Sequence, residues 1–238
     1  MKFTHSPYER EMKTIPHKPK EQSVHEKFLK EIALHSICQS CSLFSKTENK
    51  CCFITCPYID KRIKNSTITF LELLPQFIFK TNNKVLKIRL IDMYRQIKGG
   101  TIKSMYKNDT HKKIFEKQIT TYKKDGYLLS NRFVAALFIL TANSFLWRVS
   151  KKHIKPNSID FSQIDVKGIE TDSYLLLKVA KDLYCKRHQV SASDLADKSL
   201  TRDYIFNIVV AGMLIARYGY ETVKLDLKPL EDECENEG

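Results

Sequence analysis

Two apolar segments, residues 133–140 and 205–216, constrain the fold more than any other feature of the sequence. The first is almost uniformly apolar, and the second is interrupted by Asn207. Both are shorter than the roughly 18 residues that a membrane-spanning helix needs. A helix that is apolar on all sides must be buried by other helices. We therefore predict a mainly α protein with a multi-helix C-terminal bundle.

Amphipathic helices precede this bundle. At 100° per residue, the apolar residues Leu86, Leu90, Met93 and Ile97 form one stripe of a helix over 84–98. Basic residues occupy a separate arc of the same helix. A second helix over 110–123 repeats the pattern, with lysines mostly on its outer side. The sequence therefore predicts basic outer faces on two consecutive helices.

Breaks in the pattern divide the chain into four parts. We assign an extended arm to 1–22, a basic helical region with a cysteine cluster to 23–128, a compact helical domain to 129–220, and an acidic tail to 221–238. Pro75 is expected to split the apolar segment 67–79 into a short helix and a turn. The alternating residues of 159–166 indicate a short strand or extended ledge.

Five of the seven cysteines crowd into 19 residues of the N-terminal part. In a reducing cytosol such a cluster favours metal ligation over disulfides. A C-x2-C pair supplies two thiolates to tetrahedral zinc, and a second pair would use Cys56 with Cys51 or Cys52. An iron–sulfur cluster, uncoordinated thiols, and replacement of one thiolate by His35 remain open alternatives. We predict one structural zinc ion in a zinc-knuckle-like segment, with these candidate ligands: Cys38, Cys41, Cys51, Cys52 and Cys56.

Positive charge is concentrated in the middle of a chain whose net charge is +13. Residues 58–128 carry 16 basic and 6 acidic side chains, whereas residues 221–238 carry 2 basic and 7 acidic ones. Concentrated positive charge attracts polyanions, although a solvated lysine-rich surface is the alternative explanation. Tyr94, Tyr106 and Tyr122 could stack on bases or pack in the core. We predict phosphate contacts from these residues: Lys84, Lys87, Arg95, Lys98, Lys112, Lys113 and Lys117.

No motif indicates catalysis or a known nucleic-acid module. The chain lacks the phosphate-loop, dinucleotide-binding and hydrolase motifs. Cys185 and His188 are three residues apart, but they are typical of a helix end. Residues 193–216 resemble a helix-turn-helix, yet the second helix is too apolar to meet base edges. We therefore predict a protein that is not an enzyme.

The start of the chain leads into charged residues and lacks the apolar core of a signal peptide. We expect a soluble cytoplasmic protein that does not contact a membrane.

One set of segments carries a likeness to a known family: 131–147, 159–161, 180–184, 194–197 and 215–219. Together with the upstream cysteine-rich segment 38–56, they resemble uncharacterised proteins of Firmicutes conjugative elements and prophages. The likeness covers about three-quarters of the chain. It implies a bacterial mobile element and no particular activity. Our first hypothesis is a non-enzymatic, zinc-stabilised accessory protein that binds nucleic acid or a nucleoprotein complex. The second is a protein–protein inhibitor of a host defence complex, such as an anti-CRISPR-like protein, whose basic face blocks a nucleic-acid contact.

Overall fold

Nine α-helices form within the part of the chain that the computed structural model describes, which is residues 56–223 with Leu225 and Leu227. They are α1 Pro57–Lys64, α2 Phe70–Lys80, α3 Lys84–Lys98, α4 Asp109–Lys124, α5 Asn131–Thr141, α6 Ser144–Ser150, α7 Thr171–Cys185, α8 Ala192–Ala196 and α9 Asp203–Tyr218. The prediction of a mainly α protein is confirmed for these residues. The predicted arm 1–22 and the cysteine segment as far as residue 55 lie outside them, as does most of the predicted acidic tail.

Side-chain caps set where several helices begin. The Asn83 side chain accepts a hydrogen bond of 2.9 Å from the Leu86 amide at the start of α3. Asn143 makes the equivalent 3.0 Å bond to Leu146 at the start of α6. Helix α3 ends at Lys98 and Gly99 is its C-cap, so both of its predicted limits are confirmed.

Helix α2 differs from the prediction, because Pro75 lies inside a continuous helix. A capping box starts this helix, in which the Glu72 amide donates to Thr69 Oγ1 at 3.2 Å and the Thr69 amide donates to Glu72 Oε2 at 2.8 Å. Proline removes one hydrogen bond from the ladder. The burial of Phe70, Leu73, Leu74 and Ile78 offsets that loss. The expected turn is therefore wrong.

The expected strand over 159–166 is confirmed only at its first residue. A short hairpin pairs two strands of two residues each, β1 (Ile154–Lys155) and β2 (Ser158–Ile159), in antiparallel orientation. The chain then forms a 3₁₀ turn over Phe161–Gln163, because Asp160 Oδ1 accepts a 3.0 Å bond from the Ser162 amide. This local side-chain bond competes with strand pairing.

Helix α5 lies at the centre of the core. Each of its residues from 133 to 141 is buried, and it packs against α4, α6, α7 and α9. This confirms the prediction of a buried helix at 133–140. The four surrounding helices supply the apolar contacts that an all-round apolar helix requires.

Arg89 of α3 is a buried residue that holds the connection between α8 and α9. Its guanidinium donates to the carbonyls of Leu195, at 2.7 Å, and Thr201, and it pairs with Asp203 at 2.9 Å. The guanidinium also lies 4.2 Å from the centre of the Phe206 ring. Most of the apolar residues of α9 are buried, as expected for a core helix that cannot read bases.

Among residues 56–223, Leu225 and Leu227, no helix combines the length and apolar character needed to cross a bilayer.

Candidate nucleic-acid interface

The seven basic residues predicted to contact phosphates lie on two helices that pack against different neighbours. Helix α3 packs on α2 and α8, whereas α4 packs on α5. Arg95 forms an ion pair of 3.5 Å with Asp92 on its own helix. Five of the seven side chains are exposed and Lys87 and Lys112 are half-buried; the exposed ones are Lys84, Arg95, Lys98, Lys113 and Lys117.

The three tyrosines considered for stacking differ in burial. Tyr94 and Tyr106 are buried, and Tyr122 is half-buried against Phe133. Tyr94 and Tyr106 therefore pack in the core, which was the alternative to base stacking.

A cleft of about 440 Å³ lies between the α3–α4 loop and the first turns of α4 and α9. We call it the lysine cleft, after the three lysines that line it. Exposed Lys103 and Lys107 come from the loop, and half-buried Lys112 comes from α4. The other polar lining residues are Thr101, Ser104, Tyr106, Asn108, Asp109, Tyr204 and Asn207.

Backbone hydrogen bonds hold the loop that carries two of these lysines. The Met105 amide donates to the Leu225 carbonyl at 2.9 Å, and the Leu227 amide donates to the Lys103 carbonyl at 3.0 Å. The chain beyond α9 thus returns to pair with the loop. This pairing fixes the backbone of Lys103 at the edge of the cleft.

Aromatic rings hold the other two lysines. Lys107 Nζ lies 5.3 Å from the centre of the Tyr204 ring, and Lys112 Nζ lies 5.7 Å from that of Tyr106. Tyr204 in turn donates its hydroxyl proton to Asp172 at 2.7 Å. The ammonium groups therefore have preferred positions over the cleft.

His111 supports the cleft from the core. The Lys107 amide donates to its Nδ1 at 3.1 Å, and its Nε2–H donates to the Phe138 carbonyl at 2.9 Å. The pKa of His111 is lowered to about 4, chiefly by burial; the bond to Phe138 opposes this shift and the charge of nearby Lys107 adds to it. The imidazole is therefore neutral at pH 7, and both of its nitrogens have partners.

The lysine cleft presents three cations and one carboxylate, that of Asp109. It also contains the N-terminus of α4, where Asn108 caps the His111 amide at 2.9 Å. Lysines near a helix N-terminus form a favourable environment for a phosphate group.

The sequence analysis named Lys112 as a phosphate contact and Tyr106 as a possible stacking residue, but it missed the rest of the cleft. Lys103 and Lys107 lie in a loop, where no periodicity marks a face. Tyr204 and Asn207 come from a helix about a hundred residues further along the chain, so no local pattern could connect them to the loop. The excess of positive charge in 58–128 was the one available signal.

Of the five candidate zinc ligands, only Cys56 lies among the described residues. Its thiol is buried and free, and it directly precedes α1. Cys38, Cys41, Cys51 and Cys52 lie outside the described residues. Among residues 56–223, Leu225 and Leu227, no three His, Cys, Asp or Glu side chains are grouped as a metal site requires.

The cysteine and histidine considered above lie at an exposed helix end, and Asp194 of the next helix has a structural role. Cys185 and His188 are both exposed. Asp194 completes a capping box by accepting the Ser191 amide at 2.8 Å, and these hydrogen bonds lower the pKa of Asp194.

No protein-family model, curated protein or solved structure matches this chain. The resemblance to mobile-element proteins therefore stays a prediction.

Proposed function

We propose that this chain is a non-enzymatic accessory protein of a bacterial mobile element that binds nucleic acid, alone or within a nucleoprotein complex. The lysine cleft is the observation that supports the proposal. It gathers Lys103, Lys107 and Lys112 around the N-terminus of α4, and neighbouring Lys113 and Lys117 extend the positive surface along that helix. In this proposal, a zinc ion bound by the cysteine segment stabilises the protein.

The chemistry of the cleft favours phosphates over bases. Lysine ammonium groups contact phosphate as point charges and do not discriminate sequence. Nonspecific contacts of this kind release counterions, and the affinity for duplex DNA falls by about 0.9 log units per contact for each tenfold rise in salt. We therefore expect salt-dependent binding with weak sequence preference.

The test is fluorescence anisotropy with labelled single-stranded DNA, duplex DNA and RNA at several salt concentrations. The double variant Lys103→Glu, Lys107→Glu should weaken binding and reduce the slope of log affinity against log salt by about 2. The matched control is Lys151→Glu, Lys152→Glu, because these two lysines are also exposed and lie outside the cleft. Equal slopes for the two double variants would contradict a role for the cleft.

Exposed apolar residues on α3 favour the second candidate function, a protein–protein inhibitor of a host defence complex. Val85 and Ile88 are 60% and 45% exposed and lie beside Lys84 and Lys87. Apolar side chains among cations suit a protein partner better than a phosphate backbone. Two results together would support this function over the first. The chain would not bind nucleic acid at low salt, and it would capture a purified defence complex. The double variant Val85→Asp, Ile88→Asp would abolish that capture.

A further inference from the structure

We propose a second binding site, for a small anionic amphiphile that consists of an aliphatic chain with a carboxylate or phosphate head. It occupies a cleft of about 560 Å³ formed by α2, α5, α7, α8, α9 and the loop between α7 and α8. We call it the amphiphile cleft. A volume of this size is typical of pockets for small ligands. The proposal does not depend on nucleic-acid binding.

The floor of the amphiphile cleft is apolar and mostly aliphatic. Its lining includes Phe77 of α2, Val179 and Leu183 of α7, Leu195 of α8, and Met213 and Ala216 of α9. Among the described lining residues, exposed His188 of the loop is the one hydrogen-bonding side chain besides the arginines, Lys186 and Asp182. A nucleobase buried on the apolar floor, away from this exposed loop, would lose hydrogen bonds to water without replacement. An aliphatic chain has no such cost, so the floor selects an aliphatic body.

The rim of the same cleft is basic. Arg132, Lys186, Arg187 and Arg217 are exposed lining residues, and within the described chain none of them forms an ion pair with an acidic side chain. Guanidinium groups bind carboxylates and phosphates in a bidentate manner. An anionic head at the rim would therefore meet cations that no acidic side chain of the described residues neutralises.

Three hydrogen bonds fold the basic loop over the floor. Asp182 is about nine-tenths buried, and its Oδ2 accepts the Gln189 and Val190 amides at 2.7 and 2.9 Å. The Arg187 amide donates to the Asp182 carbonyl at 3.0 Å. Lys186 adopts a left-handed conformation with φ of 56° at the end of α7. The buried carboxylate thus positions the cations, and it is shielded from solvent whereas the cations of the rim are exposed.

Helix stabilisation does not explain the whole rim. Basic residues at the C-terminal ends of α7 and α9 complement the helix dipoles, which accounts for Lys186 and Arg217. Arg132, however, lies in the first turn of α5, where the dipole disfavours a cation. A cation that destabilises its own helix and lines an apolar cleft is expected at a site where it binds a ligand.

The amphiphile cleft is separate from the lysine cleft. Helix α9 contributes residues 204, 207 and 208 to the lysine cleft and residues 213, 216 and 217 to the amphiphile cleft. The centres of these two groups are about 14 Å apart along the helix axis. Variants in one cleft can therefore be made without changing lining residues of the other.

The test is isothermal titration calorimetry of the full chain with hexanoate, octanoate and decanoate. Each addition of two methylenes should raise the affinity about tenfold until the cleft is full. Octan-1-ol tests the need for the anionic head, and adenosine monophosphate tests the need for an aliphatic body. Octan-1-ol binding as tightly as octanoate, or adenosine monophosphate binding more tightly than decanoate, would overturn the proposal.

Two variants separate binding from folding. Arg132→Gln should weaken octanoate binding about tenfold without lowering the melting temperature, because it removes a cation from a helix N-terminus. Ala216→Leu places a larger apolar side chain in the cleft and should abolish binding while the chain stays folded. The matched control is Arg148→Gln, since Arg148 is exposed and outside the cleft. Absence of binding by the folded wild-type chain, or unchanged binding by Ala216→Leu, would refute the site.

Discussion

The buried polar residues His111 and Arg89 hold loops in place. His111 connects the lysine cleft to α5 through Lys107 and Phe138, and Arg89 connects α3 to the α8–α9 turn. Arg89 satisfies buried carbonyls of Leu195 and Thr201, which would be costly to leave without donors, and His111 joins the Lys107 amide to the Phe138 carbonyl. Their polarity therefore serves the architecture of the cleft and the turn.

The pH dependence of stability follows from His111. Its pKa is about 4 in the folded protein and near 6.5 when exposed, because burial disfavours the charged ring. As the pH falls below 6.5 the unfolded chain gains a proton that the folded chain does not bind until about pH 4. The stabilisation is therefore complete above pH 6.5 and is lost as the pH falls through about 4, by an amount on the order of 3 kcal/mol.

Urea denaturation at intervals from pH 8 to pH 4 measures this loss. His111→Gln should remove most of the slope between pH 6.5 and 4, since glutamine does not titrate. His188→Gln is the control, because His188 is exposed whereas His111 is buried. A slope that survives in His111→Gln and disappears in His188→Gln would contradict the assignment.

At the scale of the helices, the crossing of α5 and α9 depends on Gly212. A Cβ atom added there would lie 2.8 Å from Cδ1 and 3.0 Å from Cγ1 of Ile139, which is fully buried. Alanine normally favours a helix by about 1 kcal/mol over glycine. Overpacking a buried contact typically costs about 1–3 kcal/mol, so Gly212→Ala should lower the free energy of unfolding by roughly 1 kcal/mol.

A double-mutant cycle tests whether the contact with Ile139 is the cause. Ile139→Val alone should destabilise by about 1 kcal/mol because it removes a buried methyl group. In combination with Gly212→Ala, it should cost less than the sum of the two single changes. Strictly additive values would show that the methyl group added at position 212 does not clash with Ile139.

The helices were predictable where the signal was local. The asparagine before α3, the glycine after it and its apolar stripe lie within a few residues of one another, and both ends were found. Thr69 and Glu72 form a capping-box pattern for α2, but the prediction did not use this pattern and ended the helix near Pro75. Arg89 lies on a helix predicted in full, yet its partners are more than a hundred residues away. Burial among distant residues is decided by packing, so periodicity alone cannot reveal it.

The same limit applies to both clefts at the scale of the whole molecule. Charge summed over 58–128 pointed to a polyanion partner, and the lysine cleft lies partly in that range. The amphiphile cleft combines residues from five helices and a loop, with its basic rim supplied by α5, the α7–α8 loop and α9. None of these segments has an unusual composition, because the cleft exists only when they are packed together.

The cysteine segment gives the last prediction for the whole chain. Cys56 is buried with a free thiol directly before α1, so one candidate ligand lies next to the first helix of the described residues. Four thiolates would close the coordination shell of zinc, and metal binding of this kind stabilises the segment that supplies the ligands. We expect about one zinc ion per chain by mass spectrometry of the purified protein, and a lower melting temperature after chelation.

Cys38→Ser and Cys56→Ser should both lose the metal, and their agreement separates ligand loss from a packing defect at buried Cys56. Cys185→Ser should retain it, because Cys185 is exposed at the end of α7. Iron with labile sulfide in place of zinc would contradict the choice of metal, and a metal-free chain with an unchanged melting temperature after chelation would contradict the site.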